Sequence, residues 1–260
     1  MLAAFAVPLL LMVAGSLRQP GLAPPRGLEL LPRPLAPGNY ERAVTLVDLG
    51  RATLNSLAVV ALTVPLSVLV AAWAGFALSQ LPRRVARPVL AASAVALMVP
   101  LTALLVPRFA MFSTLGVTDT FVPLVAPALL GTSPFYVLVF WSAFRRLPAD
   151  LYDACRLESA TPWQVWWRVG MPLVRPVTAA VVALSFVLTW SDFLNPLVHL
   201  YRRDLFTVPL ALRSLAELDP TNYPLLLAGA VLATVPAVVA FVVAQHWFLS
   251  EYRGTGWLGR

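Results

Sequence analysis

The chain has 260 residues, of which 59% are hydrophobic and 12% are charged, and its formal net charge is +7. A soluble domain carries about a quarter charged residues, so this low share and a mean hydropathy of +0.79 indicate an integral membrane protein. The positive charge comes from arginines scattered between apolar segments, which argues against nucleic-acid binding. No lysine is present, so the chain lacks the residue with which a P-loop ATPase reaches the β- and γ-phosphates.

Six segments are apolar over about the 20 residues that a spanning helix needs. They predict an all-α integral membrane protein with six transmembrane helices at about 1–17, 54–81, 89–111, 121–144, 174–200 and 224–249. The first segment is short and resembles a signal peptide in length, but we interpret it as a retained first helix. Prolines such as Pro100 and Pro107 interrupt the third segment and predict breaks in it.

A polar, proline-rich stretch at 18–53 separates the first two predicted spans. Its prolines argue against a long helix and predict an extended external loop on the outer surface of the protein.

The most charged and aromatic part of the chain is the loop 147–172, between the fourth and fifth predicted spans. Pro148 to Glu158 predicts a short helix whose apolar face is made by Leu151, Ala154, Cys155 and Leu157. Ser159 and Ala160 predict a turn. Thr161 and Gln164 then have the spacing of a capping box, so a second helix is expected to start there. A helix, a turn and a helix beside a membrane are suited to docking.

The fifth predicted span carries an unusual polar cluster that includes Trp190, Asp192 and Asn195. An ionisable side chain inside a span usually faces protein or water. Two interpretations stay open here. Either these residues line a substrate path, or they join helices near the outer interface.

The sequence offers no catalytic or metal-binding pattern. His199 and His246 are far apart and Cys155 is the lone cysteine, whereas a metal site needs several such ligands together. We therefore expect no metal, no cofactor bound by this chain and no enzyme activity within it.

Three short motifs of the loop resemble a family signature. They resemble the coupling loop of permease subunits in binding-protein-dependent ABC importers, which reads roughly E-A-A-x-x-D-G-A and later a hydrophobic residue and Pro. The matching residues are Asp153-Ala154-Cys155, Glu158-Ser159-Ala160 and Met171-Pro172. Serine stands where the family has glycine. If that turn needs a positive φ, serine costs on the order of 1 kcal/mol relative to glycine.

Other stretches extend the resemblance along the chain. Asn39, Tyr40 and Val44 match an Asn-Tyr-x-x-V motif, and the segment around Trp190 resembles the family's W-N-x-F-x-x-P-L. The match is nearest to the smaller permease of maltose-type carbohydrate importers, which also begins with a retained helix. It implies six transmembrane helices with a cytoplasmic coupling helix between the fourth and fifth.

The resemblance also implies partners and a location. It implies a second permease subunit, two copies of a cytoplasmic ATPase that hold ATP and Mg, an external sugar-binding protein and surrounding membrane lipid. The location would be a bacterial or archaeal inner membrane, with the coupling loop and the C-terminus in the cytoplasm. The residues implied to contact the ATPase are Asp153, Ala154, Cys155, Leu157, Glu158, Ser159 and Ala160.

The resemblance predicts import of a di- or oligosaccharide, or a related polyol or glycerol-phosphate, by alternating access. The sequence does not name the solute. Two alternatives remain: an importer permease of the same superfamily for another solute, and an ATP-independent secondary carrier or membrane scaffold. Secondary carriers often contain internal repeats and ion-coupling carboxylates. This chain has no clear repeat, and Asp192 is its one candidate carboxylate in a predicted span.

Overall fold

The structure is a computed structural model that describes residues 2–21, 27, 31–129 and 133–252, with side chains between residues 6 and 242. These residues form helices and turns without a strand, which confirms the all-α class predicted from the sequence. Two predictions lie partly or wholly outside the described residues. They are the external loop 18–53, in part, and the position of the C-terminus.

The α-helices follow one another in chain order. They are α1 (Leu2–Ser16), α2 (Gly38–Leu46), α3 (Leu49–Gln80), α4 (Arg83–Ala96), α5 (Leu105–Thr114), α6 (Val122–Leu129), α7 (Pro134–Arg145), α8 (Ala149–Leu157), α9 (Pro162–Gln164), α10 (Met171–Leu173), α11 (Arg175–Trp190), α12 (Leu194–His199), α13 (Val208–Leu218) and α14 (Tyr223–Tyr252). A π-helical segment, Val165–Gly170, joins α9 and α10 into one helix, Pro162–Leu173.

Within the described residues, three stretches are long and apolar enough to cross a membrane: Leu49–Gln80, Val122–Arg145 (across the undescribed 130–132) and Tyr223–Val242. Two bent pairs raise the number to five if each is one span. Arg83–Ala96 meets Leu101–Thr114 at 89°, and Pro162–Leu173 meets Arg175–Trp190 at 82°. The first bend has a local cause, because Pro100 precedes the 3₁₀ turn Leu101–Leu104 and cannot donate a helical hydrogen bond.

The chain divides into two compact units, and the first comprises Met1–Ala58 and Trp190–Ala240. In this unit Asn39 holds the end of α1, because its Nδ2 donates to the carbonyls of Ser16 and Arg18 at 2.8 Å each. The Tyr40 hydroxyl lies 2.6 Å from the Ser16 hydroxyl. These contacts explain the Asn-Tyr pair singled out in the sequence, since it satisfies carbonyls that α1 leaves open at its C-terminus.

A second polar pair in this unit, Asn55 and Ser56 of α3, fixes the segment that leads into α13. The Asn55 amide donates to the carbonyls of Asp204 and Phe206 at 2.9 and 3.0 Å. The Val208 amide donates to the Ser56 hydroxyl at 2.8 Å. In the same segment, hydrogen bonds from Arg202 hold the pKa of the Asp204 carboxyl below its usual range.

The second unit comprises Val59–Thr189 and Phe241–Arg260. Its core joins α3, α7, α11 and the helix Pro162–Leu173 through buried aromatic side chains: Phe76, Tyr136, Phe140, Phe144 and Trp166. Gly75 lets α3 approach α7 closely, because a Cβ there would lie 2.7 Å from both the Phe140 Cβ and the Trp141 backbone nitrogen. Small residues at such crossings are typical of membrane helix pairs.

Candidate functional site

The predicted short helix of the loop is α8, Ala149–Leu157, and its ends follow local rules. Pro148 precedes it in an extended conformation, which suits a residue before the first turn. Asp150 lies in the first turn and Arg156 in the last. Both charges interact favourably with the helix dipole.

α8 ends in a Schellman motif centred on Ser159. The Ser159 amide donates to the Arg156 carbonyl and the Ala160 amide to the Cys155 carbonyl, each at 3.0 Å. Ser159 has φ +55°, in the left-handed region. The turn therefore requires the conformation for which the family uses glycine, and serine adopts it at a cost of about 1 kcal/mol.

The seven predicted coupling residues divide between two faces of this helix and its turn. Asp153, Ala154, Leu157, Glu158 and Ser159 are exposed. Leu157 has 88% of its surface exposed. Cys155 and Ala160 instead pack against the core of the second unit. The outward surface is thus an apolar Leu157–Ala154 patch flanked by two carboxylates, with Arg156 paired to Asp153 at 2.8 Å.

Tyr152 ties α8 to the end of α7. Its hydroxyl donates to the Phe144 carbonyl at 3.1 Å, and its ring lies 6.4 Å from that of Phe76 in α3. Burial raises the pKa of the Tyr152 phenol above its usual range. The hydroxyl therefore stays protonated and keeps donating at any physiological pH.

The second loop helix starts at the capping box predicted from the sequence. The Gln164 amide donates to the Thr161 hydroxyl at 3.3 Å, and the Thr161 amide donates to the Gln164 side chain at 2.8 Å. Its π-helical segment turns Trp166 inward, where it is 1% exposed, and leaves Trp167 at the surface. Trp73 of α3 packs edge-on against Trp166, with ring centres 5.0 Å apart.

The three predicted path residues lie together in the first unit, at a break in the helix. α11 ends at Trp190, residues 191–193 are not helical, and α12 starts at Leu194. Asp192 accepts from the Asn195 side chain at 2.6 Å and from its amide at 3.3 Å. The Trp190 indole donates to the Ala233 carbonyl at 3.1 Å. Among the residues that the structure describes, the buried Asn195 Oδ1 has no hydrogen-bond partner.

Sequence reasoning missed two positions that hold these sites. The sequence assigns no role to Tyr152, although its place three residues before Cys155, on the face of α8 opposite the exposed patch, is a usable signal. Arg145 has no assigned role either, but its guanidinium donates to the Ser79 carbonyl at 3.3 Å and links α7 to the end of α3.

The chain is similar to known membrane transport proteins. Residues 52–252 match the family model of the binding-protein-dependent transport system inner membrane component. The chain belongs to this family. The match confirms the resemblance that the loop motifs suggested, and the apolar helices agree with a multi-pass membrane protein.

Among the curated members of the family, the chain is similar to the lactose transport system permease protein LacG of Rhizobium radiobacter, with 28% identity over 80% of this chain and 76% of LacG. It is also similar to the arabinooligosaccharides transport system permease protein AraQ of Halalkalibacterium halodurans, with 31% identity over 75% of this chain and 70% of AraQ. A chain in the crystal structure of a bacterial ABC transporter that imports the acidic polysaccharide alginate has the same fold, with a TM-score of 0.77, 20% identity and coverage of 95% of this chain and 92% of that one.

Proposed function

We propose that this chain is a permease subunit of an ATP-driven importer for a di- or oligosaccharide or a related polyol compound. The relatives named for lactose and arabinooligosaccharide transport support the substrate class. The partners would be a second permease, two copies of an ATPase that hold ATP and Mg, and an external sugar-binding protein. A second crystal structure with a similar fold, of a bacterial alginate ABC transporter in complex with an alginate pentasaccharide-bound periplasmic protein, supports the last of these.

In this proposal the chain spans the membrane six times. Support comes from the three long apolar stretches, from the two bent pairs if each is one span, and from the shorter apolar helix Ala6–Ser16. α8 then lies between the fourth and fifth spans on the cytoplasmic side, and the C-terminus lies on that side as well.

The single observation that carries the proposal is the construction of α8. It exposes Leu157 and Ala154 to a partner, while its other face is bound to the unit through Tyr152, Cys155 and Ala160. A force on the exposed patch therefore reaches the end of α7 directly through the Tyr152–Phe144 hydrogen bond. ATPase closure would move α8 and rock the attached helices between inward-facing and outward-facing access.

Trp190, Asp192 and Asn195 would lie on the substrate path. A non-helical break at membrane depth is tolerated where the backbone is buried in protein or lines a cavity, and such breaks often form binding sites in transporters. The unpartnered Asn195 Oδ1 could accept a hydrogen bond from a sugar hydroxyl.

The first test is a pull-down of tagged protein from its native membrane in mild detergent, followed by mass spectrometry. Recovery of a second permease and an ATPase is the expected result. Recovery of this chain alone at native levels would contradict the importer assignment and favour a stand-alone carrier or a scaffold.

The second test uses the recovered complex in liposomes with its binding protein and radiolabelled lactose and arabino-oligosaccharides. Ala154→Asp places a charge on the exposed patch and should abolish uptake coupled to ATP hydrolysis. Ala149→Asp is the control, since it lies on the same helix about 140° away around the axis at 3.6 residues per turn. Normal uptake by Ala154→Asp, or equal loss in both variants, would contradict docking through this patch.

A further inference from the structure

A basic cavity lies where three helix ends meet in the second unit. It has a volume of about 240 Å³, and it is lined by Leu78, Leu81, Arg83, Ala86, Arg87, Leu90, Trp141 and Arg145. These residues come from the end of α3, the start of α4 and the end of α7. The coupling patch of α8 contributes no residue to this lining, so the cavity is a separate feature of the unit.

The lining follows from helix periodicity. Arg83, Ala86, Arg87 and Leu90 have the spacing i, i+3, i+4, i+7 and therefore share one face of α4. Trp141 and Arg145 are likewise four residues apart on α7. The neighbouring arginines Arg84 and Arg146 do not line the cavity.

The charge of the cavity is uncompensated within the described part of the chain. No carboxylate there lies within 4.0 Å of Arg83, Arg87 or Arg145, although arginines elsewhere in the molecule do form such pairs. Arg145 is held in place by its hydrogen bond to the Ser79 carbonyl. Three guanidinium groups that converge without a counter-charge are suited to a phosphate, which they can bind with paired hydrogen bonds.

The position of the cavity selects the kind of phosphate. α3 has 32 residues and is therefore about 48 Å long at 1.5 Å per residue, more than the roughly 30 Å of a bilayer's hydrocarbon core. A helix of this length reaches beyond the core, so its C-terminal end, the start of α4 and the end of α7 can lie at headgroup level. Trp141 suits the same depth, where tryptophan is enriched, and the leucines of the lining face the cavity as an apolar wall.

We propose that this cavity binds an anionic phospholipid, with the headgroup phosphate on Arg83, Arg87 and Arg145 and the upper acyl chain along Leu78, Leu81 and Leu90. Basic pockets between membrane helices bind acidic headgroups in this way. A lipid bound there joins the ends of α3, α4 and α7. This inference requires a membrane protein but does not depend on which solute the chain transports.

The test measures binding of phosphatidylglycerol and of phosphatidylcholine with the same acyl chains to the purified, delipidated protein with its co-purifying subunits in neutral detergent, by native mass spectrometry. We expect phosphatidylglycerol to bind about tenfold more tightly. Arg83→Gln combined with Arg87→Gln should remove most of that preference, since each arginine contributes up to a roughly fivefold gain for an anionic lipid at a membrane surface.

The matched control combines Arg84→Gln with Arg146→Gln, which removes the same net charge from exposed residues outside the cavity. It should keep the preference within about twofold, because neither residue lines the cavity. If both double variants lose the preference for phosphatidylglycerol equally, general surface electrostatics rather than a site in the cavity would explain the binding. Equal binding of both lipids to the unaltered protein would also overturn the proposal.

A third arm separates a lipid from a free anion. Inorganic phosphate and glycerol 3-phosphate are added at millimolar concentration during the titration with phosphatidylglycerol. Retained lipid binding supports the proposal, because these anions cannot use the apolar wall. Full displacement would identify a small-anion site instead.

Discussion

The two helices of the loop between α7 and α11 have similar lengths and opposite roles. α8 has no buried residue, and its last residue, Leu157, is 88% exposed. The helix Pro162–Leu173 buries Val165, Trp166 and Gly170 in the core of its unit. The difference shows that one helix anchors the loop while the other presents a surface. Removing a buried side chain from Pro162–Leu173 should therefore lower stability. Removing an exposed side chain from α8 should instead lower transport activity.

The largest effect is expected for Trp166→Ala, which empties a core position that is 1% exposed. Such truncations cost about 3–5 kcal/mol of unfolding free energy. Trp167→Ala is the control, since its side chain is 54% exposed and should cost about 1 kcal/mol or less. Unfolding titrations in mixed micelles compare the two. Equal losses would mean that the aromatic ring of Trp166 does not anchor the loop.

Gly75→Ala should come next, with a loss of about 1–3 kcal/mol from overpacking. The added Cβ would lie 2.7 Å from the Trp141 backbone nitrogen, which cannot move without shifting α7. Gly50→Ala lies in the same helix α3 with no atom within 4 Å of the added Cβ, and it should be neutral or stabilising by up to about 1 kcal/mol. A neutral Gly75→Ala would show that the two helices are not in close contact.

Ser159→Gly should stabilise the loop by about 1 kcal/mol, because glycine adopts positive φ without steric cost. The chain contains its own reference for this turn. α5 ends in the same hydrogen-bond pattern with Gly116 at φ +68°. Gly116→Ser should therefore destabilise by a similar amount. Thermal unfolding of both variants measures the pair, and shifts of the same sign would contradict a shared backbone cause.

The smallest effect on stability is expected for Leu157→Ser. Since the side chain is 88% exposed, the free energy of unfolding should change by no more than about 0.5 kcal/mol. Uptake coupled to ATP hydrolysis should nevertheless fall strongly if the patch docks on the ATPase. A variant that keeps full uptake would remove Leu157 from the coupling surface, while a large loss of stability would contradict its exposure.

Much of the loop could be predicted from local sequence. The span of α8 was predicted to within a residue, and the capping box at Thr161 and Gln164 is present with both hydrogen bonds. The conditional positive φ at Ser159 is also observed. These features depend on residues within one or two turns of each other, so hydrogen bonds near in sequence determine them.

The inward direction of Cys155 and Ala160 could not be predicted in the same way. The sequence grouped Cys155 with Ala154 and Leu157 on one apolar face, but Cys155 faces the core. Small side chains suit either a socket on a partner or a close approach within the chain. Only the packing of α8 against α3 and α7 distinguishes the two.

The sequence by itself determined the membrane class, the family and the local form of the loop, because composition, apolar length and capping act over short distances. Only the packed structure shows which side of α8 is exposed and that Arg83, Arg87 and Arg145 line one cavity. These features depend on residues far apart in the chain, which come together only when helices pack.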